Sequence, residues 1–251
     1  MFQHFIQNSD FTALVKLVSP DFFKVVPVPA LFNLAREVLQ TSSRWPGELE
    51  SHQENAQTYC PPGILPRFAD PIPQTEGIVR SCDEGHLVLE LYFRQILQSD
   101  TWILDLRSSR FAQSSREQEL RWIPGPYAIR LSSNFVQAVR NLYIGFYLKQ
   151  PAVFDQALKD LGLQAARSIL EAHFGVEEQK NVRFNLAEFE RVFAQVFQSC
   201  AQAGEKIAVE FAVLGMLLLT LYENLGSTPH SYDVRSTFMR AYEASQRKPR
   251  S

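Results

Sequence analysis

The chain has 251 residues, of which 45% are hydrophobic and 21% are charged, and its formal net charge is −2. This composition lies far from that of intrinsically disordered chains, and the length suffices for a core without disulfides or metal. The nearly balanced charge argues against a surface designed throughout to attract nucleic acid or anionic lipid.

The three cysteines, Cys60, Cys82 and Cys200, are widely spaced and odd in number. They match neither a disulfide framework nor a Cys-x-x-Cys metal pair. The first residues, MFQHFIQNSDF, also lack the pattern of a secretory signal. We therefore expect the cytoplasm or another reducing intracellular compartment. The most hydrophobic run, Phe211 to Tyr222, has 12 residues. A membrane-spanning helix needs about 20, so we predict no membrane span.

Residues 1–43 are predicted to form an N-terminal helical unit. Asp10 can cap its first helix, and apolar residues recur at helical spacing as far as Gln40. The next segment, 44–83, contains six prolines between Pro46 and Pro73, which helix interiors and central strands tolerate poorly. Since this segment also carries apolar side chains, we predict a proline-rich extended arm that packs along the body of the protein.

Residues 84–131 are predicted to form one helix followed by a small β-hairpin. Apolar residues keep helical spacing over 84–99, whereas the stretch TWILDLRSSRF alternates apolar and polar residues as a strand does. The sequence Pro-Gly-Pro at 124–126 is a strong turn signal. We expect a hairpin or a three-stranded sheet within 101–131, and we expect it to be the only sheet.

Residues 132–251 are predicted to form a C-terminal bundle of five or six helices that ends in a basic tail. Capping residues, glycine stops and apolar faces alternate regularly along this half of the chain. The predicted fold class is therefore mainly α: a C-terminal helical bundle with a small β-hairpin insertion and a proline-rich extended arm.

The central arginines are the first candidate site. Residues 101–150 contain seven basic and three acidic side chains, whereas residues 1–100 contain seven basic and twelve acidic ones. Guanidinium groups interleaved with aromatic rings suit anions, nucleic-acid bases or an acidic protein partner. Pairing of these arginines with the acidic first part of the chain is the structural alternative. The candidate residues in segment 107–140 are Arg107, Arg110, Arg116, Arg121, Trp122, Arg130 and Arg140.

The phenylalanine-rich bundle is the second candidate site. Helical bundles can enclose apolar ligands between their helices without leaving a sequence motif. A helical-bundle enzyme or carrier would therefore hold its ligand in an apolar pocket, and the candidate lining residues are Phe193, Phe197, Phe211 and Met216.

Motifs of familiar catalytic chemistry are missing from the sequence. It contains no Gly-x-Ser-x-Gly nucleophile elbow and no glycine-rich phosphate loop. The histidines do not combine with cysteines or carboxylates into a set of three or four metal ligands. We therefore predict no catalytic residues, no metal and no cofactor.

One segment resembles a known enzyme family. The sequence WILDLRSSRF, followed by a helix and then IGFYLKQPAVFDQALKDLGL, is similar to the end of the UbiB-type atypical kinase domain. The resemblance implies that Asp105 stands where that family has its metal-binding aspartate. The triad here reads Asp-Leu-Arg instead of Asp-Phe-Gly, and the family's Lys-x-Gly-Gln motif and catalytic loop are absent. The resemblance thus implies a truncated, kinase-like pseudokinase domain.

The favoured hypothesis from the sequence is a non-enzymatic protein–protein interaction subunit or adaptor of a larger assembly. The absence of a catalytic motif and the apolar residues of the predicted arm both favour it. The bundle with a ligand pocket, nucleic-acid or anion binding through 107–140, and the pseudokinase remain alternatives.

Overall fold

The computed structural model describes residues 20–71, 81–113, 119–174 and 181–247. Within these residues the chain forms nine α-helices, two short 3-10 helices and five short strands, so the mainly α class with a small β insertion is confirmed. The helices are α1 (Phe22–Val25), α2 (Val28–Tyr59), α3 (Cys82–Gln98), α4 (Ser133–Tyr147), α5 (Pro151–Leu161), α6 (Arg167–Phe174), α7 (Leu186–Ala203), α8 (Phe211–Gly226) and α9 (Val234–Gln246). The strands are β1 (Ile64–Pro66), β2 (Thr101–Ile103), β3 (Phe111–Gln113), β4 (Leu120–Trp122) and β5 (Ala128–Arg130).

Helix α2 corrects the prediction of an extended arm over 44–83. Residues 44–59 are helical, with Pro46 in the helix interior, and 82–83 already belong to α3. Pro46 is exposed, so the carbonyl that it leaves without a backbone donor can be hydrated. Buried side chains on both sides of it, among them Trp45 and Tyr59, hold the helix against the core. Tertiary packing here outweighs the local cost of the proline.

The part of the predicted arm that follows α2, residues 60–71, is not helical and consists of two turns, one on either side of a short strand. Residues 60–71 contain β1, and Phe68 lies between two rings, stacked on Trp45 at 5.6 Å and edge-on to Trp122 at 5.5 Å. Residues 72–80 lie outside the described residues. The segment 60–71 therefore contacts both α2, through Trp45, and strand β4, through Trp122.

The strands form two small sheets, not the single one expected within 101–131. Strand β4 pairs in parallel with β1 and antiparallel with β3, while β2 and β5 form a separate antiparallel pair. The expectation of one sheet was wrong because the strands within 101–131 divide into two separate pairs, β3 with β4 and β2 with β5. Strand β1, at 64–66, adds a third strand to the first pair from outside that segment.

Helix α3 lies at the centre of the molecule. Ser81 caps it through a reciprocal capping box with Glu84. The fully buried Gln95 accepts a hydrogen bond from the Ile103 N–H at 3.0 Å and donates one to the Ile103 carbonyl at 3.2 Å. It also accepts from the Tyr59 hydroxyl at 3.1 Å. One amide side chain thus joins α3, β2 and the end of α2.

Six helices follow the strands in the described part of the chain, in agreement with the five or six expected. Helices α4 and α5 form a close helical hairpin, in which Gly145 faces the backbone of Phe154. Helix α8 buries residues around most of its circumference and packs on α3 and α7. Its position explains why its hydrophobic run is so continuous.

Two predicted elements fall outside the described residues: the first helix, capped at Asp10, and the last four residues of the basic tail. Across the described ranges, no helix is both long and apolar enough to cross a bilayer.

Candidate functional site

Two of the predicted arginines converge on Asp105 below the surface. Arg107 contacts both carboxylate oxygens, with Nε to Oδ1 at 2.7 Å and Nη2 to Oδ2 at 2.8 Å. The Nε atom of Arg110 lies 2.8 Å from Oδ2, and the Gly125 N–H donates to the same oxygen at 2.9 Å. Asp105 is 1% exposed. The arrangement fixes the turn at 124–126 and directs these two guanidinium groups inward.

The other predicted arginines are distributed over the molecule. Arg140 donates to the carbonyls of Ile96 and Ser99 at the end of α3, and its Nη2 lies 3.0 Å from Asp100 Oδ1. Arg121 faces Asp70 at 3.5 Å. Arg130 lies on the exposed side of β5, and Arg116 is outside the described residues.

Trp122 is fully buried and donates its indole N–H to the Asp105 carbonyl at 3.0 Å. It therefore supports the turn instead of presenting a ring to a base. Among the predicted residues that the structure describes, Arg130 and Arg140 lie together in a groove, which is described below, and the others do not share one basic surface with them.

The position of Asp105 also bears on the kinase resemblance. A metal-binding aspartate needs free carboxylate oxygens directed at the cation. Here both oxygens contact guanidinium groups of Arg107 and Arg110. The same atoms that would bind a metal ion instead neutralise two buried cations.

The predicted pocket residues of the bundle are in ring-to-ring contact. Phe193 stacks on Phe211 at 5.6 Å and meets Phe197 edge-on at 4.8 Å. A Cβ atom added to Gly215 would lie 2.4 Å from the Phe193 ring. Side chains thus occupy the space between α7 and α8 at this level. Met216, the fourth predicted residue, is only partly buried.

A polar groove runs between α2 and the β2–β5 pair. Two adjoining cavities of about 560 and 630 Å³ share His52, Thr101 and Arg130 as lining residues. The first is lined along α2 by polar and charged side chains that include Arg36, Glu37, Arg44 and Glu48. The second continues to the end of α3, where it is lined by Gln98, Asp100 and Arg140 among others. We call this combined space the α2 groove. Each of the two volumes is of the order found for small-molecule sites, about 300–1,000 Å³.

His52 forms part of the floor of the α2 groove. Its ring stacks on the buried Trp45 at 4.8 Å, with an interplanar angle of 18°. Burial lowers its pKa, and the nearby Glu48 carboxylate opposes that shift. The Nε2 atom lies 3.5 Å from Glu48 Oε2, longer than a good hydrogen bond. Among the described residues, the buried amide nitrogen of Gln98 has no hydrogen-bond partner.

A second exposed feature lies on another side of α2. Val28, Phe32 and Leu39 are 38%, 54% and 37% exposed. At about 100° per residue these three positions fall within about 40° of one another on the helix. We call them the α2 apolar face. Phe23 on α1 is a further large apolar side chain, 48% exposed.

His86 and Glu90, which are one helical turn apart on α3, form hydrogen bonds and ion pairs that stabilise the fold. His86 donates from Nδ1 to the Cys82 carbonyl at 3.0 Å and accepts at Nε2 from the Asp233 N–H at 3.2 Å. Glu90, one turn later, contacts Arg94 and Arg240 at 2.7 and 3.1 Å. Over the described ranges, no group of three histidine, cysteine or acidic residues is arranged to hold a metal ion.

The α2 groove was missed from the sequence because the second half of α2 was expected to be extended, whereas the α2 apolar face lies in the part that was expected to be helical. The spacing of Val28, Phe32 and Leu39 was the available signal, since it is the spacing of a helical face. The sequence alone does not show which face of α2 the core covers, because that depends on packing against distant segments.

Comparison with models of known protein families gives no match, and no curated protein is significantly similar to this chain.

Proposed function

We propose that this chain is a non-enzymatic interaction protein and that its partner binds the α2 apolar face. The observation that carries the proposal is the exposure of Val28, Phe32 and Leu39 on one side of one helix. Contiguous exposed apolar residues on a folded surface commonly mark a site of protein–protein contact. The proposed setting is the cytoplasm or another reducing compartment, in keeping with three free cysteines.

The geometry favours an amphipathic helix as the partner element. The face extends over eleven residue steps of α2, which is about 16 Å at 1.5 Å per residue. Helices bind helical surfaces through side chains at this i, i+4, i+11 type of spacing.

The charge beside the α2 apolar face indicates which residues should flank the apolar side of the partner helix. Arg36 follows Phe32 by four residues and precedes Leu39 by three, so it borders the face. Within the described residues Arg36 is exposed and makes no ion pair. We therefore propose a partner helix that carries acidic residues beside its apolar ridge.

Photo-crosslinking tests the proposal. A benzophenone amino acid placed at Leu39 is expected to crosslink, in native lysate, to an amphipathic helical peptide of another protein with acidic flanking residues. The same group at Arg235, on the exposed side of α9, is the control and should not capture that peptide. Crosslinks only to a second copy of this chain, or none, would contradict the proposal.

A binding measurement with the captured peptide completes the test. Phe32→Glu combined with Leu39→Glu should weaken binding at least about tenfold, because burial of one such side chain contributes about 1.5–3 kcal/mol. Gln40→Glu, which adds charge on a polar lining residue of the groove, is the matched control and should retain most of the affinity. Unchanged affinity in the double variant would show that the partner binds elsewhere.

A further inference from the structure

We infer that the α2 groove is a binding site for a small phosphorylated molecule that carries hydroxyl groups. This inference rests on the groove, whereas the proposed function rests on the α2 apolar face; Arg36 borders both, so the variants that test the groove are made at Arg44 and Arg130.

The α2 groove is lined by positively charged side chains that can bind an anion. Four arginines line it, and one of them, Arg140, is already engaged with Asp100 and two backbone carbonyls. The other three, Arg36, Arg44 and Arg130, make no ion pair and no side-chain hydrogen bond among the described residues. Guanidinium groups bind planar or tetrahedral anions through several N–H donors at once, so three of them on one groove that are not engaged with a carboxylate are suited to bind an anionic ligand.

The number of guanidinium groups favours phosphate over carboxylate. One carboxylate is satisfied by a single bidentate arginine, whereas a phosphate monoester has three terminal oxygens and up to two charges. Arg130 projects from the strand side and Arg44 from the helix side of the same cavity. The proposed site of the phosphoryl group is the part of the cavity between these two walls.

The remaining lining residues favour hydroxyl groups on the rest of the ligand. Glu37 and Glu48 are acceptors in the same cavity, and they would repel a second anionic group. Asn33 and Gln40 offer both donors and acceptors. In the adjoining cavity, the buried Gln98 amide nitrogen is an unsatisfied donor. A phosphorylated polyhydroxy compound fits this set, since its phosphate and hydroxyl groups need opposite kinds of partner.

Calorimetric titration tests the inference with four probes: ribose 5-phosphate, inorganic phosphate, ribose and citrate. We expect saturable binding of ribose 5-phosphate, weaker binding of inorganic phosphate, and none of ribose or citrate. Equal binding of ribose and its phosphate would overturn the inference, as would tighter binding of citrate. Absence of saturable binding at millimolar ribose 5-phosphate would also overturn it.

Variants at Arg44 and Arg130 locate the site. Both side chains are exposed, so Arg44→Ala combined with Arg130→Ala should leave the melting temperature unchanged while weakening ribose 5-phosphate binding at least about tenfold. Arg235→Ala is the matched control and should bind as the wild type does. Arg44→Lys should bind with intermediate affinity, because lysine keeps the charge and loses the planar fork. Wild-type affinity in the double variant would place any binding outside the groove.

Discussion

Asp105 and Arg107 form a two-point ion pair only two residues apart, with Nε to Oδ1 at 2.7 Å and Nη2 to Oδ2 at 2.8 Å. Since Arg110 contacts the same carboxylate, Asp105→Asn removes a buried negative charge that two mostly buried guanidinium groups contact. Loss of one partner from a buried pair costs about 3–5 kcal/mol, so we expect a decrease of that order in the free energy of unfolding, measured by urea denaturation.

Asp70→Asn provides the matched control for the Asp105 prediction. Asp70 faces Arg121 at 3.5 Å, and both side chains are more than one third exposed. Exposed pairs of this kind contribute about 0–1 kcal/mol. Similar destabilisation by the two substitutions would show that the Asp105 cluster has no special structural role.

Alanine substitution is expected to have opposite effects at two glycines, one at the close contact between α4 and α5 and one in α2 with open space around it. A Cβ atom at Gly145 would lie 2.5 Å from the backbone nitrogen of Phe154, so Gly145→Ala must move the two helices apart. Overpacking of this kind costs about 1–3 kcal/mol. Gly47 lies inside α2 with nothing within 4 Å of its added Cβ, and Gly47→Ala should stabilise the protein by about 0.5–1 kcal/mol. Thermal and urea unfolding check both; destabilisation at both positions would contradict the close-packing argument.

The three cysteines should react with iodoacetamide in a defined order. Burial raises the pKa of the Cys60 and Cys200 thiols to about 12, which leaves very little reactive thiolate at mildly alkaline pH. Cys82 lies in the first turn of α3, and its side chain is partly buried, as that of Cys60 is, whereas Cys200 is buried. Cys60 is therefore expected to react slowly because of its raised pKa and not because of a lower exposure. Mass spectrometry of the native protein should find Cys82 modified first, and all three modified in urea. Equal rates of modification of the three cysteines in the native protein would show that the fold does not protect Cys60 and Cys200.

Acidification should weaken the fold partly through His173. Its Nε2 atom is hydrogen-bonded to the Tyr222 hydroxyl at 2.9 Å, and burial lowers its pKa below 6.5. As the pH falls below about 6.5, the unfolded chain therefore binds a proton more readily than the folded chain does, and stability decreases. This contribution is fully present above that pH.

Melting temperatures measured between a pH of about 7.5 and 5.5 test this prediction. His173→Gln should lower stability at neutral pH and reduce its decline on acidification. Burial also lowers the pKa of His52, so the double variant with His52→Gln should have a still flatter profile. A wild-type slope in both variants would contradict it.

The sequence determined the helical half of the fold because local signals there agree with packing. Asn185 caps α7, a glycine ends α5 and α7, and the apolar faces of these helices meet in the core. The same local reasoning failed at Pro46, where buried residues on both sides of the proline keep α2 helical. Strand β1 was also missed, because three residues acquire strand character only when a partner edge lies beside them.

The candidate sites depended on the tertiary structure more than the helices did. Composition identified arginines at 107–140, but a side chain's type does not reveal its partner, and Asp105 draws Arg107 and Arg110 inward. Arg130 faces a groove whose other wall is α2, a helix of which only the second half was expected to be extended. Local spacing sets which residues share a helix face, whereas contacts between distant segments decide which face remains open to a ligand or partner.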